Sequence, residues 1–505
     1  MEGRPMRKRM KRSSKNVFPL KIDELEQLMK SEFDKSPDLS FSKYEHQNKK
    51  IAVFFIPYQV QPDRVENLLL TPLLESKEEW SNTAILNKIP LNSGKEYQQM
   101  DEILPGLIAG KVMIYIEDEA AVVSYDFLNK EKRSLEGAET ESVVIGPKIA
   151  FTESLVTNLN VIRWNIRTPD LAIEEITIGK RAPREVRLIY LKSLANDTDV
   201  DTMRQRLNEL DVDNVEDSNV LMQYIEDDSA SIFPQFHTTE LPDRTSYAIL
   251  KGKIAVLMEN SPSALIAPST FFSFFESTED LYMRWNSGSP LRFIRFMSMF
   301  ISVVLTPMYV AAVTFHYEII PTQLLISIGQ SRAGVPFPPV FEALFLELMI
   351  ELLREAGARL PTKVGQTIGI VGGVVVGTAA VQAGITSNIL IIFITISALA
   401  SFTAPSYQMG TSIRLLRFPM IVLAGILGLI GIMFGLCMLI IHLLKMTSLG
   451  RPYLSPIYPI RFEDLNKALY RLPQNFQYKR FISLSLKDSI RFSKRNANEK
   501  KDIDE

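Results

Sequence analysis

Five residues spaced by four, Gln366, Ile370, Val374, Thr378 and Gln382, put polar side chains at both ends of an apolar middle within VGQTIGIVGGVVVGTAAVQAG. In a ring of such helices this row predicts a narrow path with hydrated mouths and a dry constriction that gates by dewetting. An i+4 row drifts by about 40° per step on a straight helix, so all five share one face only on a tilted or supercoiled helix. Beside it, Gly365, Gly369, Gly373 and Gly377 make a small-xxx-small ladder, on which another helix approaches closely where lipid supplies no hydrophobic drive. Helix packing alone accounts for these glycines. Upstream lies VFEALFLELMIELLREAGARLP with its carboxylates Glu342, Glu347 and Glu351. On a helix, Glu347, Glu351, Arg354 and Glu355 cover one broad polar face, Phe341, Leu344, Leu348 and Leu352 lie opposite, and Glu342 points away from the polar face. Such a helix lies in the membrane interface with solvated carboxylates, or stands in the membrane with its acids toward a water-filled path.

Other chemistries find little here. The single Cys437 cannot form an intrachain disulfide, and His46, His237, His316 and His442 are scattered without metal-ligand spacing. The Gly-Lys pairs Gly110-Lys111 and Gly252-Lys253 lack the upstream glycine and the following Ser or Thr of a phosphate loop. They read as turn glycines followed by solvated lysines entering strands. Arg163, Trp164 and Arg167 form a basic, aromatic stripe. Acidic surroundings argue against nucleic acid as its partner, and an interdomain or subunit contact is the expectation. No nucleophile-base pair stands out, and the chain reads as a non-enzyme without cofactor or metal.

The elements that must position these residues are of two kinds. The 505 residues carry 56 Lys+Arg and 58 Asp+Glu, ordinary averages for a soluble protein. Split at Pro290, they separate into 35 basic and 46 acidic residues before it, net −11, and 21 basic and 12 acidic after it, net +9. Residues 364–413 form a 50-residue stretch without Asp, Glu, Lys or Arg, flanked by uncharged apolar runs at 296–317 and 418–444. This patterning is that of an integral membrane protein with a large aqueous N-terminal portion. Spans are expected at about 293–315, 364–384, 385–402 and 418–443, with the acidic segment an amphipathic or re-entrant addition, four to six membrane helices in all. Arg292 and Arg295 before the first span, and 13 Lys/Arg against seven Asp/Glu after Leu444, place both termini in the cytoplasm. The basic start, MEGRPMRKRMKRSSK, has no apolar run behind it and does not read as a secretory signal.

The aqueous portion reads as α/β or α+β. Ile51 to Ile56, Val112 to Ile116 and Ala121 to Tyr125 have strand composition, and Pro62 with Asp63 opens a helix whose Val65, Leu68, Leu69 and Leu73 share a face. GKVMIYIED at 110–118 aligns with GKIAVLMEN at 252–260, an offset of 142, and the preceding strand–helix segments align at about 135. Two copies of one subdomain are therefore expected. The organisation is a basic tail at 1–21, subdomains at 22–150 and 151–290, a transmembrane domain at 291–445 and a basic tail at 446–505.

The segments PKIAFTESLVTNLNVIRWNIRTPDLAIEEITIGK, PPVFEALFLELMIELLREAGARLP and VGQTIGIVGGVVVGTAAVQAG, in this order, closely resemble the A subunits of the GerA family of spore germination receptors, over about residues 22–480. The resemblance implies a component of the spore inner membrane with termini on the core side. It also implies a transporter-like B subunit that binds nutrient and a lipoprotein C subunit as partners. Self-association, as a pentamer around a path for monovalent cations, would let nutrient open a channel and trigger germination. By the same resemblance, the glycine ladder and its polar row belong to the pore segment, with Glu342, Glu347 and Glu351 on the acidic helix before it. Two other classes stay open. One is a non-conducting scaffold or transducer. The other is a transporter component, although no inverted membrane repeat is visible.

Overall fold

The computed structural model describes residues 19–33, 38–46, 49–75, 80–89, 91, 93–128, 137–138, 141, 145–360, 373, 375, 377–470, 473 and 476–492. The N-terminal portion is built on two five-stranded antiparallel sheets. The first uses β1 (Ser40–His46), β2 (Lys49–Phe55), β3 (Lys95–Tyr97), β4 (Lys111–Ile116) and β5 (Val122–Asp126) in the order β1-β2-β4-β5-β3. The second uses β6 (Leu171–Ile178), β7 (Arg184–Leu191), β8 (His237–Thr239), β9 (Ile254–Met258) and β10 (Ala264–Ala267) in the order β6-β7-β9-β10-β8. The two orders are the same.

So is the register. Moving β2 on by 135 residues and β4 by 142 carries the pair Ile51↔Ile116 onto Val186↔Met258. An offset of 142 carries Val112↔Tyr125 onto Ile254↔Ala267. These are the offsets read from the sequence. The turns agree too, since Gly110 and Gly252, ahead of β4 and β9, have φ of 78° and 88°. Asp118 and Asn260, in the hairpin turns, have φ of 68° and 57°. Left-handed backbone is open to glycine and, at modest cost, to Asp and Asn, which are the residues both copies place there.

Alternation along the strands gives each sheet two buried faces. Ile51, Val53, Val112 and Ile114 face an outer core closed by Val65, Leu69, Leu73 and Trp80. Ala52, Phe54, Met113 and Tyr115 turn to a core shared with Ile173, Ile189 and Leu257 of the second sheet, with Leu155, Leu159 and Ile162 of helix Leu155–Asn165 between them. That helix begins at Ser154, whose side chain accepts from Thr157 N. The far face of the second sheet is covered by Val200, Met203 and Leu207 of helix Asp197–Asn208 and by helix Ser218–Ile225.

Past Trp285 the chain is helical. Among the described residues, Trp285–Phe315 and Tyr407–Leu427 are long and apolar enough to cross a membrane, and Asn388–Ser401 and Leu429–Lys445 are shorter apolar helices. The expected single span at 418–443 is in fact two helices. Gly428, with φ of 64°, separates Tyr407–Leu427 from Leu429–Lys445, and the two pack together as a hairpin. The first of them also starts earlier than expected, carrying Arg414 and Arg417 within it. Residues 361–372, 374 and 376 lie outside the described residues; Gly373, Val375 and 377–382 are helical.

The described residues after Lys445 are not a free tail. Strands β11 (Thr447–Ser448) and β12 (Arg451–Pro452) return to the second sheet unit. There Ser448 Oγ donates to Gln235 O at 2.8 Å, Arg451 Nε meets Asp199 at 2.7 Å and Tyr453 Oη donates to Pro234 O at 2.7 Å. Helix Phe462–Leu469 then caps the start of Trp285–Phe315, where Arg292 donates to Lys467 O at 3.0 Å.

Candidate functional site

The acidic helix, Pro339–Arg359, starts with proline at its first turn, where a missing N–H costs nothing. It runs antiparallel to Tyr407–Leu427, with Val340 against Gly425, Glu347 against Arg417 and Glu351 against Arg414. A Cβ on Gly425 would lie 2.0 Å from Val340, so only glycine admits this approach. Its burial is the reverse of an amphipathic surface helix. Glu342, Ala343, Leu346 and Glu347 are buried, whereas Phe341, Leu348 and Leu352 are more than half exposed. Glu342 and Glu347 face the protein and the large apolar side chains face outward, as a helix with lipid or another chain outside it requires.

Three tiers of polar contacts follow. In the first, Glu342 pairs with Arg332 at 2.9 Å and accepts from Ser387 N at 3.2 Å, while Tyr309 Oη lies 3.4 Å from Ser387 Oγ. The middle tier joins four helices. Arg417 donates to Glu347 at 3.1 Å, to Ser302 Oγ at 2.5 Å and to Ser397 O at 3.1 Å, and Thr306 Oγ1 donates to the other oxygen of Glu347 at 3.2 Å. Ser397 Oγ donates to Ser302 O at 2.8 Å. Both charged side chains of the pair are at most 3% exposed. In the third tier Glu351 meets Arg414 at 3.2 Å and Arg354 at 3.7 Å, and Arg354 donates to Ser401 Oγ at 3.2 Å. Glu351 keeps its side chain 39% exposed, alone among the three carboxylates.

In an apolar interior a carboxylate or guanidinium survives as an ion only when paired and hydrogen-bonded, and this network satisfies both members of its central pair. Breaking such a pair by removing one partner costs about 3–5 kcal/mol. The middle tier thus fixes the register of four helices at one level. Neither of the two settings expected for the acidic helix describes Glu342 and Glu347, which are inward-facing partners of arginines. Arg332, Arg414 and Arg417 were missed as partners because they lie outside the acidic segment. The signal was present, since Arg414 and Arg417, three apart, match Glu351 and Glu347, four apart, on an antiparallel helix.

Of the proposed pore row, Gln366, Ile370 and Val374 lie outside the described residues, as do Gly365 and Gly369. Thr378 and Gln382 are exposed, and a Cβ added to Gly373 or Gly377 would meet nothing within 4 Å. Among the described residues, no helix of the same chain covers this half of the ladder. In the head, Arg163 is fully buried. It pairs with Asp38 at 2.5 Å, donates to Tyr58 Oη at 3.2 Å and to Thr168 O at 3.2 Å, and so ties the first subdomain to helix Leu155–Asn165. Its burial removes it from the subunit-contact candidates and makes it an interdomain contact. Trp164 is partly buried, and exposed Arg167 lies over its ring at 5.9 Å. Among the described residues, no group of three His, Cys, Asp or Glu is placed to hold a metal.

Two like-built sheets in front of a helical domain that keeps arginine–carboxylate pairs inside it define a membrane-associated protein with an aqueous head. The chain belongs to the GerA family, the Bacillus/Clostridium GerA spore germination proteins, whose family model matches residues 27–482. It is 40% identical over 473 residues to spore germination protein GerQA of Bacillus cereus, covering 94% of each chain. It is 36% identical over 457 residues to spore germination protein KA of Bacillus subtilis (strain 168), covering 89% of this chain and 84% of that one. A crystal structure of the N-terminal domain of the A subunit of the Bacillus megaterium spore germinant receptor GerK3 is 25% identical. It covers 50% of this chain and 97% of that one, with a TM-score of 0.40.

Proposed function

We propose that this chain is the A subunit of a nutrient-sensing germination receptor, and that copies of it assemble as a pentamer around a monovalent-cation path in the spore inner membrane. A nutrient-binding B subunit and a lipoprotein C subunit complete the receptor. The observation that carries the reading is the uncovered half-ladder. Thr378 and Gln382 are exposed beside open Gly373 and Gly377, inside a 50-residue stretch without a charge. Exposed polar side chains and bare glycines at membrane depth call for a second copy on one side and water on the other.

The helix directions support a six-crossing topology. Trp285–Phe315 leads away from the head, the acidic helix and Asn388–Ser401 both run back toward it, and the Gly428 hairpin goes out and back. The acidic helix and the Gly428 split each add one crossing, so an even number and two cytoplasmic termini are kept. Nutrient on a partner subunit then favours an open ring by whatever binding energy distinguishes it from the closed one.

The test is ion flux from potassium-loaded liposomes containing the full chain, with and without its co-expressed partners. Val374→Ala widens the dry constriction and is expected to leak without nutrient, whereas Glu351→Gln, at the partly exposed third tier, shifts cation preference. Tight liposomes in every combination, with assembly verified by crosslinking, would reject the conduit and leave the scaffold reading.

A further inference from the structure

The two sheet copies solve one problem differently. In the first, the turn lysine Lys111 is satisfied locally, since its ammonium donates to Tyr97 Oη at 3.0 Å and sits 5.5 Å from the Tyr97 ring centroid. Strand pairing puts Tyr97 opposite Val122 and, in the second copy, Thr239 opposite Ala264, 142 residues beyond Val122. Thr239 therefore stands where Tyr97 stands. By the same register, His237, opposite Ile266, takes the place of Lys95, opposite Ser124. The Thr239 hydroxyl bonds Glu141 at 2.6 Å and cannot reach over as a tyrosine does. Lys253, the counterpart of Lys111, loses its cap. Among the described residues its ammonium has no hydrogen-bond or ion-pair partner, and it is partly buried rather than solvated as the sequence led one to expect.

What Lys253 faces is a cavity of about 60 Å³ that it lines with His237, Arg244, Lys251, Glu276 and Arg292. This is several times the room one water needs. His237 is only 3% exposed, stacked on Phe274 with ring centroids 5.2 Å apart, and neither ring nitrogen has a hydrogen-bond partner. An imidazole in this setting is costly unless something in the cavity bonds it. The cations are unevenly matched. Arg244 has Glu141 at 3.3 Å, Lys251 has Glu276 at 3.2 Å and Arg292 shares Asp280 with Arg295, so of the cations lining the cavity Lys253 is the one without an ion-pair partner. Burial, with Lys251 next in effect, brings the Lys253 ammonium down to about 8. Burial pushes the His237 imidazole well below its usual value, with Arg244 and Lys253 adding to it. Burial thus weighs against the charge on each group, and an anion in the cavity would favour it. A second cavity of about 210 Å³ shares Tyr247, Lys251, Glu276 and Arg292 with the first, and adds Lys467 and Arg480.

From this geometry we infer that the seam between the second sheet, the start of the first apolar helix and the returning C-terminal segment is a binding site for a phosphate group. Lys253 and His237 act as the recognition pair. A phosphate offers several acceptor oxygens and the charge that an ammonium, a guanidinium and an imidazole N–H can share, which a neutral ligand does not. Two sources supply that chemistry. One is a phosphate-bearing solute on the head side. The other is an anionic phospholipid headgroup, reachable because Arg292 is flanked on its helix by exposed Leu291, Phe293 and Ile294.

The test uses the full chain in phosphatidylcholine nanodiscs. Inorganic phosphate is titrated calorimetrically, and retention of phosphatidylglycerol, added at a low mole fraction, is read by native mass spectrometry. Lys253→Gln is expected to weaken binding by about tenfold or more, the loss of one charge-assisted contact. Lys111→Gln, at the matched site of the first copy, leaves it unchanged. Should Lys253→Gln fold poorly, His237→Phe, which keeps the stack on Phe274, takes its place. Weakened phosphate binding assigns the solute source and weakened lipid retention the headgroup source; either supports the site. Absence of binding by both probes, or binding by the variant equal to that of the unaltered chain, overturns it.

Discussion

Glu347→Gln keeps the size of the side chain and removes its charge, leaving Arg417 ionised and buried against Ser302 Oγ and Ser397 O. Arg417→Met does the converse, leaving Glu347 with the Thr306 hydroxyl. Each single change should cost about 3–5 kcal/mol, because an uncompensated charge stays in an apolar interior. At about 2–4 °C per kcal/mol for a domain of this size, melting falls by roughly 6–20 °C. The two changes together remove both charges, so the double variant should lie well above the sum of the singles, with a coupling of about 3 kcal/mol. Intrinsic-fluorescence melts of the full chain in nanodiscs, at one scan rate because membrane domains aggregate on heating, give all four values. Singles that melt within about 2 °C of the unaltered chain, or a double that falls as far as the two singles combined, would refute the assignment of this pair as the element that sets helix register.

Other outcomes follow from the same structure. Burial pushes the Glu276 carboxyl up, but Lys251, Arg292 and Lys253 outweigh it and bring it down to about 2. A depressed carboxyl contributes stability that is present above its unfolded value of 4.5 and is lost as pH falls toward 2, about 3 kcal/mol in all. Melts between pH 5 and 2 should show this loss, and Glu276→Gln should flatten the slope. Gly428→Ala puts a Cβ 2.8 Å from His316 Nε2 at a φ of 64°, and should destabilise the helical hairpin by about 1–2 kcal/mol or more, read as a lowered melting temperature. Asp38→Asn leaves Arg163 buried without its anion. It should loosen the contact between the sheet units by about 3–5 kcal/mol, seen as faster proteolysis between residues 128 and 154.

The doubled head was legible because a strand keeps a period of two and a turn demands particular residues. Gly110 and Gly252, with Asp118 and Asn260, mark the same corners in both copies, and offsets read from them reproduce the pairing register. The membrane helices were read less well, for a reason visible at Arg414 and Arg417. A hydropathy reading treats charge as a boundary, and so it began the last span at 418, after both arginines. Their charges are instead met by Glu351 and Glu347 on another helix, a long-range pairing that no local window contains. The acidic helix misled in the complementary way. Its amphipathic pattern is real, but a pattern does not say which side is the interior, and here Glu342 and Glu347 turn in while Phe341, Leu348 and Leu352 turn out. Gly428 went unread because a positive φ is not announced by composition in an apolar run. The uncapped Lys253 was out of reach for a similar reason, since Tyr97 and Thr239 become counterparts only once the strands are paired.

The residues just past Lys445 have a mechanical meaning. Through Ser448, Arg451 and Tyr453 the end of Leu429–Lys445 is bolted to the second sheet unit, and through Asp280, on Arg292 and Arg295, so is the start of Trp285–Phe315. The head therefore works as a yoke on two shafts. A tilt imposed on it reaches both shafts at once and in fixed phase, with no slack for a linker to absorb. The acidic helix, clamped to its neighbours by the arginine pairs, is carried along with them rather than left behind.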